Sequence, residues 1–202
     1  MVAAAVVLAV LAVVRLRAPI GPVAGVAATA LLIVAGLVAG LRPGGDWASA
    51  AGLAAAGVAL IAIGYAVAVA VPAIRRRAFH DYRMGARDAA YTALVAVPLA
   101  TVFLEEIAFR GVLWGLAERQ WGPWWAAAVT SVLYGLWHAR PRRDPPLVIL
   151  GTVVFTTLAG AVFAFLRHEG GNVLAPIAVH WAANGLGVLV SAWAWRRSRS
   201  PE

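Results

Sequence analysis

Glu105 and Glu106 stand side by side in an apolar stretch, and Arg110 follows four residues after the second glutamate. In a helix, residues i and i+4 share a face, so Glu106 and Arg110 can form a charge-assisted pair within apolar surroundings. Glu105 is turned about 100° away by the helical period and cannot share that contact. The spacing therefore predicts a structural role for Glu106 and leaves the Glu105 carboxylate available for chemistry.

Two further pairs of polar residues have the same i,i+4 spacing in apolar stretches, Tyr134 with His138 and His180 with Asn184. A carboxylate beside an imidazole can hold and deprotonate a water molecule. A second imidazole and an amide are donors suited to a developing oxyanion. These side chains predict hydrolysis of an acyl compound with water as the nucleophile. The predicted catalytic residues are Glu105, His138, His180 and Asn184, and the supporting residues are Glu106, Arg110 and Tyr134.

The same residues leave two other chemistries open. Glu105, His138 and His180 offer one carboxylate and two imidazoles, which is enough for zinc on ligand count. The sequence contains no HExxH stretch, so zinc is the alternative and a site without a cofactor is the prediction. Ser131 precedes His138 by seven residues, two turns along one helix, which is too far for a direct hydrogen bond. A serine nucleophile is therefore ranked lowest.

The composition around these residues is that of an integral membrane protein. Of the 202 residues, 62% are hydrophobic and 13% are charged, whereas about 25% are charged in an average soluble domain. The mean hydropathy is +0.82. The absence of cysteine excludes disulfides and thiolate chemistry. The net charge of +8 comes from arginines placed between apolar runs, which favours a lipid bilayer and not a nucleic acid as the partner.

The apolar runs predict an all-α fold, a polytopic membrane helix bundle of about seven transmembrane helices. A spanning helix needs about 20 mostly apolar residues. The first run is short for a span, and no basic residue precedes it as in a signal peptide. Pro98 lies inside the fourth run and predicts a kink there. The predicted spans are 1–14, 18–41, 47–73, 89–117, 121–139, 146–166 and 173–195.

The arginines between the spans predict the orientation of the chain. Thirteen of the 17 fall on one side of the predicted bundle and three on the other. Because short cytoplasmic loops carry the excess of positive charge, the N-terminus is predicted outside the cell membrane and the C-terminus in the cytoplasm. Glu105 and His138 both lie about 25 Å from the turn near Trp121, so they are predicted at one depth. Residue counting places His180 less deep, a difference that would close if the last span begins below the membrane surface, where Pro176 favours an irregular start.

Three motifs occur in order, each inside a predicted span: EExxxR at Glu105–Arg110, an aromatic-xxxH at Tyr134–His138, and HxxxN at His180–Asn184. The pattern resembles the CPBP family, also called the Abi family. This family contains the type II CAAX prenyl endopeptidases and bacteriocin-processing or immunity membrane proteins. The resemblance covers about residues 85–195, and Tyr134 stands where the family commonly has Phe.

The resemblance implies an intramembrane, CAAX-type endopeptidase that acts on a peptide or membrane-protein substrate. Glu105 would match the water-activating glutamate, assisted by His138. His180 and Asn184 would match the oxyanion-binding pair. Residues 81–202 would then form the catalytic core of four spans, and residues 1–80 would supply helices without motifs.

Three readings compete with the glutamate-dependent protease. One is a non-catalytic scaffold or bacteriocin-immunity protein of the same family, and another is a zinc-dependent form of the protease. The third is a transporter, which would also use charges inside the membrane. Internal repeats are common in transporters, and none stands out in this sequence.

Overall fold

The computed structural model describes residues 2–17, 19–41, 44–79, 83–140 and 144–197. Over these residues the chain forms eight helices and no strand. Seven helices correspond one to one to the predicted spans, which confirms the all-α fold class, and the eighth is a short helix in the loop after the third. The helices are α1 Val2–Arg17, α2 Pro22–Val38, α3 Trp47–Ala70, α4 Pro72–Ala78, α5 Ala86–Trp121, α6 Pro123–His138, α7 Pro146–Gly170 and α8 Leu174–Arg197.

The outward surface of the helices is apolar, as a bilayer requires. By length and composition α3, α5, α7 and α8 can each cross a membrane, whereas α1 and α2 are shorter apolar helices. The 16 residues of α6 extend about 24 Å at 1.5 Å per residue. Leu60 of α3 is 69% exposed and Phe155 of α7 is 72% exposed. Such continuous apolar surface is unfavourable in water and neutral against lipid, so the helices form a multi-pass membrane bundle.

A single glycine reverses the chain between α5 and α6. Gly122 has a φ of 81°, which favours glycine because it lacks a Cβ. Pro123 follows, and its fixed φ and missing N–H suit the first turn of a helix. Three tryptophans beside this turn are more than half exposed, as expected for an aromatic belt at a membrane surface. They are Trp121, Trp124 and Trp125.

Helix α5 departs from regular α-helical hydrogen bonding on both sides of the adjacent glutamates. Wider, π-helical turns cover Thr92–Ala96, Pro98–Val102 and Ile107–Leu113, with the α-helical segment Phe103–Glu106 between the last two. Pro98 begins the second of these turns, where its missing N–H removes one hydrogen bond of a regular helix. The kink predicted at this proline stays a prediction. Such turns within α-helices often occur at functional sites.

The helices without motifs pack directly on those that carry them. Gly25 of α2 lies so close to α5 that a Cβ there would collide with the carbonyl oxygen of Leu99. Helix α3 packs along α8, where the Tyr65 hydroxyl donates a hydrogen bond to the carbonyl of Ala183 at 2.5 Å. The division of the chain near residue 80 into a motif-free part and a catalytic core stays a prediction.

Candidate active site

The three motifs meet where α5, α6 and α8 come together. Glu105 and Glu106 of α5 are buried, with 6% and 0% of their surface exposed. Tyr134 and His138 approach them from α6, and His180 approaches from α8. Polar residues that are far apart in the sequence therefore form one cluster inside an apolar bundle.

The first half of the cluster is centred on Glu106. Its Oε1 lies 3.3 Å from an Arg110 guanidinium nitrogen, the i,i+4 pair that the spacing predicts. The same oxygen lies 2.7 Å from His180 Nδ1, a contact that the spacing did not predict. Arg110 also donates to the carbonyl of Gly160 in α7 at 3.0 Å. Its guanidinium carbon lies 4.3 Å from the centre of the Tyr134 ring. Charge-assisted hydrogen bonds from this pair thus connect α5, α7 and α8.

The second half of the cluster is centred on Glu105. Its Oε1 accepts a hydrogen bond from Trp137 Nε1 at 3.0 Å. Its Oε2 is buried and has no hydrogen-bond partner among the described residues. This oxygen faces His138 Nε2 at 3.9 Å and His180 Nε2 at 4.0 Å. Those separations are too long for direct hydrogen bonds, and one water molecule can bridge either of them.

Both histidines are held through Nδ1, so that Nε2 faces Glu105. His138 Nδ1 lies 2.9 Å from the Tyr134 carbonyl oxygen, which can only accept, so this nitrogen carries the proton. His180 Nδ1 faces the Glu106 carboxylate in the same way. Partners of this kind determine which ring nitrogen is free for chemistry. The Tyr134 hydroxyl lies 3.4 Å from His180 Nε2.

Three contacts in the site come from residues that the sequence analysis did not select. Phe163 of α7 stacks on the His180 ring, with centroids 5.1 Å apart and an angle of 19°. Gly160 supplies the carbonyl for Arg110. The middle of α7 contains no ionisable residue that could have identified it. Trp137, in contrast, directly precedes the motif residue His138, and this position in the sequence could have identified it as a residue of the site.

Asn184 is the predicted site residue that the structure does not bring into the cluster. Its side chain is exposed, and it makes no hydrogen bond within the described ranges. Four residues of helix turn the chain by about 400°, so Asn184 lies about 40° around α8 from His180, towards the surface. Its role as an oxyanion donor stays a prediction.

The relative depth of the site residues was only partly predictable. Glu105 and His138 lie at one depth, as residue counting along α5 and α6 predicts. The depth difference that residue counting gave for His180 does not keep it out of the site, because its ring reaches within 4.0 Å of the Glu105 carboxylate. Counting residues assumes upright helices with level ends, so it does not determine where side chains of two different helices meet.

The two chemical alternatives have different geometric support. The hydroxyl of Ser131 donates a hydrogen bond to the carbonyl of Ala127 at 2.6 Å. It therefore bonds to the backbone of its own helix.

Within the part of the chain that the structure describes, no three His, Asp or Glu side chains form a metal-ligand group. The Glu105–imidazole separations of 3.9 and 4.0 Å exceed the roughly 3.3 Å between neighbouring ligand atoms of tetrahedral zinc. The donor types fit zinc, but their present spacing does not.

Comparison with known proteins identifies the segment that holds this cluster. Residues 87–186 match the family model described as Type II CAAX prenyl endopeptidase Rce1-like. This part of the chain belongs to the Rce1-like family. The Rce1-like segment runs from the start of α5 into α8 and includes all three motifs. The family that this segment matches is one of CAAX-type endopeptidases, as its description states.

One relative is an Escherichia coli protein named "Uncharacterized 24.3 kDa protein". It is 28% identical to this chain over 102 residues, which are 47% of this chain and 44% of the relative. The chain thus spans less than half of that protein's length. No solved structure matches the chain.

Proposed function

We propose that this protein is an intramembrane endopeptidase in which Glu105 and His138 activate a water molecule. The observation that carries the proposal is the position of Glu105 Oε2. This oxygen is buried and has no hydrogen-bond partner among the described residues, and it faces two imidazoles at 3.9 and 4.0 Å. A buried carboxylate oxygen without a donor is costly, and a water nucleophile would satisfy it.

The arrangement of His138 supports the first chemical step. Its proton lies at Nδ1, so Nε2 can accept one hydrogen of a water molecule while Glu105 Oε2 accepts the other. Glu105 then takes a proton as the water oxygen adds to the carbonyl carbon of the peptide bond. The resulting tetrahedral oxyanion collapses, the C–N bond breaks, and Glu105 gives its proton to the leaving amine. No covalent bond to the enzyme and no cofactor takes part.

His180 and Asn184 are the proposed oxyanion donors. His180 faces Glu106 through Nδ1, and its Nε2 lies on the side of Glu105, where it would donate to the oxyanion. Asn184, one turn further along α8, would donate the second hydrogen bond once a substrate lies beside that helix.

The test is cleavage of internally quenched peptides by the purified protein in detergent, comparing the wild type with Glu105→Gln. We expect the variant to lose at least about 100-fold in kcat, the lower range for a general base, while it stays folded. Glu169→Gln is the matched control, because Glu169 is an exposed carboxylate at the end of α7. Comparable cleavage by Glu105→Gln would refute the proposed role. Absence of cleavage by the wild type would favour the scaffold or immunity function.

A further inference from the structure

Trp137 holds one oxygen of the Glu105 carboxylate. Its indole Nε1 lies 3.0 Å from Glu105 Oε1. An indole N–H can donate and cannot accept, so Oε1 is the acceptor of this hydrogen bond. The other oxygen, Oε2, is the one that faces His138 and His180. The two carboxylate oxygens therefore have different partners.

The indole is itself fixed in place. Its ring contacts Phe109 of α5, with centroids 6.5 Å apart and an angle of 56°, and it packs against the main apolar core. It also directly precedes His138. One turn of α6 therefore supplies both the hydrogen-bond donor to Oε1 and the imidazole that faces Oε2. The terminal torsion of a glutamate is broad and roughly twofold. Without the hydrogen bond from Trp137, the carboxylate could rotate away from the imidazoles.

We propose that Trp137 is a positioning residue for peptide hydrolysis. By binding Oε1, it keeps Oε2 directed at the position between Glu105 and His138 that the water nucleophile would occupy. The proposal rests on the proposed function of Glu105 as the base. It assigns a role to the indole N–H that a tryptophan serving only as apolar packing would not have.

Trp137→Phe removes the N–H and keeps an aromatic ring. With a quenched peptide as the substrate, we expect kcat to fall about 10- to 100-fold, the range for losing a hydrogen bond to a charged group. KM should stay within about twofold, because the substrate contacts are unchanged. Trp114→Phe is the matched control: Trp114 is buried and donates Nε1–H to Glu118 at 3.0 Å, outside the site. Its removal should leave kcat within about twofold of the wild type.

A second measurement does not depend on a substrate. In a ¹H–¹⁵N spectrum of the nine tryptophans, the resonance that Trp137→Phe removes identifies the Trp137 indole. Glu105→Gln should shift this resonance, because an amide oxygen is a weaker acceptor than a carboxylate, and it should leave the Trp114 resonance in place.

These two measurements separate the possible failures. A wild type that cleaves no peptide would overturn the proposed function and the positioning role with it, while the indole shift would still show whether the hydrogen bond forms. The positioning role alone is overturned by an unchanged kcat in Trp137→Phe. It is also overturned if Trp114→Phe lowers kcat by the same factor, or if Glu105→Gln does not shift the Trp137 indole resonance.

Discussion

At the scale of single residues, the two adjacent glutamates differ in what surrounds each carboxylate. Glu106 contacts Arg110 at 3.3 Å and His180 at 2.7 Å. Glu105 is tied through one oxygen, to Trp137, and its other oxygen faces the imidazoles. The same side chain in neighbouring positions can therefore serve structure in one case and chemistry in the other.

The first prediction concerns the relative importance of these glutamates for stability. Glu106→Ala should destabilise the protein more than Glu105→Ala, because it leaves the fully buried Arg110 without its carboxylate. Removing one partner of a buried pair costs about 3–5 kcal/mol in soluble proteins. Thermal melting of both variants in detergent measures the difference. Equal melting temperatures would contradict a structural role for Glu106.

The second prediction concerns Tyr134. Its ring lies under the guanidinium of Arg110 and edge-on to Phe109, whose centroid is 5.3 Å away. Tyr134→Phe keeps these ring contacts and removes the hydroxyl, which lies 3.4 Å from His180 Nε2 and also interacts with the Glu105 carboxylate. We expect stability within about 1 kcal/mol of the wild type and retained cleavage. Tyr134→Leu, which also loses the cation–π contact, should melt at a clearly lower temperature. A Phe variant that melts as low as the Leu variant would show that the hydroxyl, and not the ring, matters.

At the scale of helices, the close contact of α6 with α7 positions half of the site. A Cβ on Gly135 would collide with the Thr157 side chain and approach the Val153 carbonyl oxygen to 2.8 Å. Small residues allow membrane helices to pack this closely. Gly135 directly follows Tyr134 and lies three residues before His138, so a displacement of α6 would also displace these site residues.

The third prediction follows from that contact. Gly135→Ala should destabilise the bundle by about 1–3 kcal/mol, as overpacking typically does, and reduce cleavage. Gly151→Ala is the control on α7, since a Cβ there meets no atom within 4 Å. That variant should be at least as stable as the wild type, because alanine favours a helix over glycine. Melting and peptide cleavage of both variants provide the comparison, and equal behaviour would argue against a tight α6–α7 contact.

At the scale of the whole molecule, the arginine distribution predicts the orientation in the membrane. A reporter fused after Glu202 should be cytoplasmic, and one fused after Gly170 should be external, because positive residues concentrate on the cytoplasmic side. Several arginines in this count, Arg42, Arg142, Arg143 and Arg199, lie outside the described residues. Compartment-specific activity of the two reporters measures the orientation. An external C-terminus would reverse it and place the site in the other half of the bilayer.

The last prediction concerns the metal content of the purified protein. The imidazoles face Glu105 at 3.9 and 4.0 Å, a spacing that a bridging water suits better than a zinc ion. We expect no stoichiometric zinc by elemental analysis and full cleavage after chelation. About one zinc per chain, with activity lost on its removal and restored on its return, would instead establish the metalloprotease alternative with Glu105, His138 and His180 as ligands.

The sequence by itself determined the features that depend on local chemistry. Apolar runs predicted all seven main helices, because hydrophobicity is a property of a continuous segment. The Glu106–Arg110 pair was predictable for the same reason, since i,i+4 neighbours meet within one helix whatever surrounds it. The three motifs also identified the segment that matches the Rce1-like family.

Only the tertiary structure decided which side chains meet across helices. The contacts of Glu105 with Trp137 and of Glu106 with His180 depend on how α5, α6 and α8 are offset and rotated. Spacing along one helix contains no information on these quantities. His180 and Asn184 show the consequence, because a rotation of about 40° between them leaves one buried against the glutamates and the other at the surface. Residue spacing predicts which side of a helix a residue lies on to within about 40°. Packing against the neighbouring helices then determines which residues on that side are buried and which are exposed.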